Sequence, residues 1–269
     1  GTVLVVPGLF MKAHSADEGV LYIIDSIGGT PESVTEDCTD SAGGWSYDAG
    51  TATLTLDGFQ GEYIEANGDI NIVLKGKNKI TISAESTEGI KSTGKVTIDD
   101  TISPVQDCLD IYCSDGTESV SMIYTGGFGA DYATYIVGGT VNLVEENTRR
   151  RYVTGISRWA YVENDASLNI NLSADGGRNG VAALLNLNTS GDTSFRVNSL
   201  SSSSYGVYSL DKKGSGDTAL VAEGKAKNID NKFTIGSTGN TGKITIKGYL
   251  TDFTPYRKKN RIVGVDNFL

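Results

Sequence analysis

The chain is poor in the residues that most often carry chemistry or covalent bracing. It has one histidine, three cysteines, four prolines and two methionines in 269 residues. The lone His14 excludes Ser–His and Cys–His nucleophile systems over most of the chain, because they need an imidazole within hydrogen-bond reach of the nucleophile. The same count excludes His-rich metal sites. Cys38, Cys108 and Cys113 are an odd set, the last two lack a zinc spacing, and no histidine lies near them. No structural disulfide is expected. Basic residues are outnumbered 33 to 23, giving a net charge of −10. That balance argues against nucleic acid and against docking to anionic lipid. No apolar run approaches the ~18 residues that suggest a membrane-spanning helix, so no membrane insertion is expected. The apolar start at Thr2–Pro7 has no basic leader and no cleavage site. A mature fragment whose leader has been removed is the expectation.

Glycine, by contrast, is abundant, at 34 residues, and it punctuates a recurring pattern. Short strands of alternating apolar and polar residues begin at Ile70, Val96, Val120, Val141, Leu168, Phe195, Leu220 and Ile244, at steps of 21 to 27 residues. Self-similarity at this period signals a repeat architecture whose units bury their apolar faces on one another. Between Glu62 and Thr93, several such strands follow in quick succession, separated by Gly68, Gly76 and Gly89. A leucine-rich-repeat core is missing, and a propeller blade needs roughly 40 residues. The reading is an all-β, right-handed, single-stranded parallel β-helix with three short strands per turn. Its core is one aliphatic column of the eight residues named above. A second ladder opens at Gly89, Gly155, Gly180 and Gly206, with a less regular first gap.

The expected organisation is an N-terminal cap over residues 1–45, the β-helix over 46–249, and a C-terminal cap or tail over 250–269. Met11–Ile27 reads as a short helix in the first of these, with a capping start at Ser15–Glu18. The basic run Arg257–Arg261 reads as a solvated tail.

Three features could carry function. Tyr112, Tyr135 and Trp159 or Tyr161 recur near the repeat period, with Arg150 and Arg158 in the same stretch. Aligned on one flank, the rings would offer flat contacts to sugars and the guanidinia would meet acidic groups. Asp99, Asp100 and Asp110, with Asp107 and Asp115 nearby, form an acidic cluster. Paired carboxylates suit glycoside hydrolysis, and acidic oxygens on adjacent turns suit a calcium-assisted lyase with an arginine base. The outward row Asn71, Thr97, Ser121, Asn142, Asn169, Arg196 and Thr245 would make a polar face.

The stretch Gly44–Asp48, Ala52–Gly58, Ile64–Gly76, Asn78–Ile82 and Gly89–Gly94 resembles bacterial surface proteins with a pectate-lyase-like right-handed β-helix. The resemblance is specific over about residues 44–98 and architectural beyond. It implies a secreted or cell-surface location and a carbohydrate-binding or adhesin-like role. The Asn-Thr-Asp, Gly-His-Gly, Arg-x-Pro-x-Arg and Trp-x-Asp-His elements of the enzymes on that fold are absent, so no catalytic residue carries over.

The first expectation is therefore a non-catalytic, monomeric module that binds a polysaccharide or other glycan along its side, or other surface proteins in adhesion. It would use Tyr112, Tyr135, Trp159, Tyr161, Arg150 and Arg158. The alternatives are a lyase or hydrolase using Asp99, Asp100 and Asp110, and a passive spacer. No cofactor is expected, and calcium enters only with the lyase.

Overall fold

The computed structural model describes residues 20–101, 107–146, 148–173, 178–181, 183–235, 242–250 and 262–266. These residues are all-β, with one 3-10 turn at Ala130–Tyr132 and no α-helix among them. Their strands gather into a 7-stranded, an 11-stranded and a 9-stranded sheet, the first, second and third sheets below. From Tyr63–Ala66 to Thr193–Ser199, successive strands enter the first, second and third sheets in rotation. Pairing among these strands is parallel.

Period-two alternation explains how each strand sits. In Ile70–Lys75 the side chains of Ile70, Ile72 and Leu74 are buried while Asn71 and Lys75 are exposed. Register then aligns the inward residues. The second sheet stacks Leu54, Ile72, Ile98, Ile136, Val162 and Leu187. The third stacks Ile80, Ile111, Leu143, Ile170, Phe195, Leu220 and Ile246. The first stacks Ile64, Ile90, Ile123 and Ile156. All three columns belong to one buried cluster. Each such side chain contributes about 1.5–3 kcal/mol on burial, so the core requires no disulfide, and all three cysteines are free thiols.

The single column expected from the sequence is thus three columns. Ile70 and Val96 pair in the second sheet, Val120 lies in the first, and Val141 and Leu168 pair in the third. All eight residues are buried, so the inward parity holds. The sharing among sheets differs because strands of all three sheets carry the same alternation. The outward row divides in the same way: Asn71 pairs with Thr97 in the second sheet, and Asn142 with Asn169 in the third. In the glycine ladder, Met122 fills the irregular gap, flanked by Ile123, which aligns with both Ile90 and Ile156. The second-sheet partner of Thr97 is Tyr135, so the chain between them is longer than one ordinary repeat.

At the N-terminal end the pairing reverses. Leu21–Ile24 runs antiparallel to both Glu32–Val34 and Tyr63–Ala66. It is a strand where Met11–Ile27 was expected to be helical, because Leu21 and Ile23 complete the buried face of the first sheet. Residues 11–19, including His14, lie outside the described residues, as do 251–261 with their basic run. Cys38–Asp40, Trp45–Asp48 and Thr53–Asp57 form an antiparallel meander. Antiparallel pairing therefore extends past residue 45.

The passages between sheets are held by buried polar side chains. From second to third, Asn78 accepts from the Phe59 amide at 2.9 Å and donates to the carbonyls of Lys75, Gly76 and Cys108. Farther along, Gly191, Gly216 and Gly242 pack so closely that a Cβ on Gly216 would strike the Gly191 carbonyl, and one on Gly242 the Gly216 carbonyl. From third to first, the Arg150 side chain spans three successive passages. It donates to Ser83 O at 2.6 Å, Ser86 O at 3.0 Å, Ser114 O at 2.8 Å and Glu118 O at 3.4 Å.

Candidate functional site

The passage from the first to the second sheet carries a cleft of about 440 Å³. It is lined by Ser121, Tyr124, Phe128, Thr154, Ser157, Arg158, Trp159, Leu184 and Tyr208. Ser121 and Thr154 are register partners in the first sheet. The turn at 126–129 supplies Phe128. Gly127 lies so close to the Tyr132 ring that a Cβ there would collide with it, and Gly129 has φ 96°, a left-handed value that suits glycine. The turn so formed leaves the Phe128 ring 73 % exposed. The Arg158 guanidinium lies over that ring, 4.0 Å from its centroid.

Arg158 is itself in an uncommon conformation, with φ 75°. Its neighbours fix it: the Ser157 amide donates to Ile123 O at 2.9 Å, and Trp159 O accepts from the Thr134 amide at 2.9 Å. Trp159 leans on Tyr161 at 6.3 Å between centroids, and Tyr161 stacks on Tyr135 at 4.7 Å with planes 6° apart. Tyr135 and Tyr161 are register partners on the outer face of the second sheet. Burial first, and Glu163 with it, pushes both phenols above their ordinary pKa. Both are therefore neutral hydrogen-bonding groups at neutral pH. Tyr208, 42 % exposed, closes the cleft against Tyr205 in an edge-on contact of 6.3 Å.

The structure thus brings together Trp159, Arg158, Tyr161 and Tyr135 from the sequence reading. It separates the other two. Tyr112 pairs with Val144 and Thr81 in the third sheet, with Lys79 over its ring; the strand Cys108–Cys113 belongs to a different sheet from Tyr135. Arg150 is 1 % exposed and spends its guanidinium on backbone carbonyls, so it does not face a ligand. Phe128, Tyr124 and Tyr208 were missed. Phe128 carried a signal, a lone aromatic amid Gly126, Gly127 and Gly129.

The acidic trio is also divided. Asp99 and Asp100 end a second-sheet strand, whereas Asp110 lies in the third sheet and accepts from Asn142 Nδ2 at 2.7 Å. Burial, then Asp165, Asp99 and Asp107, raise the Asp100 pKa. Asp107 is buried and serves the turn, accepting from the Gly76 amide and from Thr101. Among the described residues the one grouping of three carboxylates within 4.8 Å is Asp25, Glu32 and Asp40. Two of these already accept hydrogen bonds, Asp25 from Trp45 Nε1 and Asp40 from the Ala42 and Gly43 amides.

No family model, curated protein or solved structure matches this chain. The site therefore rests on its own chemistry: four aromatic residues, one guanidinium and several hydroxyls around an open cleft.

Proposed function

We propose that the three sheets are the faces of a right-handed parallel β-helix and that the chain is a non-catalytic glycan-binding module. Strands entering three parallel sheets in rotation support the first part, together with the preference of parallel connections for the right-handed crossover. The cleft at Phe128, Trp159 and Tyr208 carries the second. Aromatic faces give apolar contact to sugar rings at low entropic cost, and hydroxyls around them fix orientation. The adjoining Tyr135–Tyr161 stack extends that surface along the second sheet. A secreted or cell-surface setting belongs to the same reading, with an extracellular polysaccharide as partner.

Calorimetric titration of the full chain against a panel of oligosaccharides tests it. Trp159→Ala is expected to weaken the best binder at least roughly tenfold, about 1.4 kcal/mol, with an unchanged β-sheet circular dichroism spectrum. Undiminished affinity in that variant removes the cleft as the site. A wild-type chain that binds no sugar in the panel leaves the passive-spacer reading.

A further inference from the structure

Among the described residues, nothing neutralises the cation in the cleft. Among the described residues Arg158 makes no hydrogen bond and no ion pair; its Nε is buried and unpartnered, and so is the Oγ of the adjacent Ser157. Two other arginines near the passages differ. Arg149 pairs with Asp115 and Arg150 clasps carbonyls. An arginine has five N–H donors in a planar fork, and leaving a shielded one unmade is costly. Phe128 covers one face of the guanidinium at 4.0 Å. The outer Nη edge, whose N–H groups are not among the shielded atoms, is left to bind an anion with two parallel hydrogen bonds. The left-handed φ of 75° is a third sign. Glycine adopts that backbone without strain, yet an arginine occupies it, and strained residues cluster at binding sites.

We infer that Arg158 forms an anion subsite within the glycan cleft, so that the ligand is a sugar bearing a carboxylate or sulfate. This rests on the glycan reading and adds the chemical class. The anionic group docks against the outer Nη edge of the guanidinium, while the sugar ring lies against Trp159 and Tyr208. A protein of net charge −10 repels polyanions at long range, so the selectivity is local to this one side chain.

The test titrates the full chain with three oligosaccharides of equal length: an oligo-uronate, a sulfated one and a neutral one. The wild type is expected to prefer an anionic sugar at least roughly tenfold over the neutral one. The uronate and sulfate arms tell which group supplies the charge. Arg158→Gln should erase the preference, lowering anionic-sugar affinity to the level of the neutral sugar. Arg158→Gly, which suits the positive φ at this position, should do the same, and Arg158→Lys should keep part of the preference. Equal affinity for charged and neutral sugars, or a preference that survives Arg158→Gln and Arg158→Gly, overturns the anion subsite alone. Failure of all three sugars to bind overturns the subsite together with the glycan reading.

Discussion

Replacing Arg150 with methionine separates its role as an internal clamp from a role at the surface. Methionine keeps much of the aliphatic stem and removes every donor. Three carbonyls, those of Ser83, Ser86 and Ser114, lose bonds of 3.0 Å or shorter, and the Glu118 carbonyl loses a longer one. A hydrogen bond from a charged donor contributes about 1.5–3 kcal/mol. The gross loss is partly offset, because a buried guanidinium costs several kcal/mol to desolvate. The expected net destabilisation is about 3 kcal/mol, roughly a hundredfold in the folding equilibrium. Urea denaturation followed by circular dichroism should show the midpoint fall with the slope m unchanged. Sugar binding measured well below the midpoint should be unaffected. The neighbouring Arg149→Met, which breaks only an exposed pair with Asp115, should leave the midpoint where it was. A stable Arg150→Met protein with lost sugar affinity would refute the clamp and return Arg150 to the ligand surface.

Two further outcomes follow from buried groups and close backbone contacts. Lys212 lies in the inward column between Leu187 and Ile235, where burial lowers its pKa from 10.5 despite opposing pulls from Asp217 and Asp192. The unfolded chain then holds that proton more tightly, so stability rises with pH between the depressed value and 10.5. Urea midpoints measured over that alkaline window should climb more in the wild type than in Lys212→Met, and parallel curves would contradict the depressed value. Gly216→Ala should destabilise by about 2–4 kcal/mol, since its methyl group meets the Gly191 carbonyl with no flexible neighbour to yield; a loss under about 0.5 kcal/mol in thermal or urea denaturation would mean that the passages separate easily.

The sequence made the inward and outward parity legible, because Ile70, Ile72 and Leu74 alternate with polar residues as period two demands. Register was not legible. Val96, Val120 and Val141 sit in strands of near-identical pattern that belong to three different sheets, and nothing local distinguishes them. The sequence puts Arg150, in a run of three arginines, on a surface that contacts acidic sugars; its burial depends on carbonyls up to 67 positions away. Trp159, Tyr161 and Tyr135 were visible through spacing, since register partners one turn apart keep the period. Tyr124 and Tyr208 were not, because they stand on the strands Val120–Thr125 and Tyr205–Lys213, off that spacing.

The edge strands at the N-terminal end are short and acidic. A pile of parallel strands has no intrinsic length, and its last edge is a template on which another molecule could continue. Here Leu21–Ile24 and Trp45–Asp48 reverse the direction, Glu32–Val34 and Cys38–Asp40 reverse it again at the edges of two sheets, and Glu32, Asp37 and Asp40 bring negative charge to that rim. Each of those edges is only three residues long and carries acidic side chains, and both features discourage a further strand from pairing there.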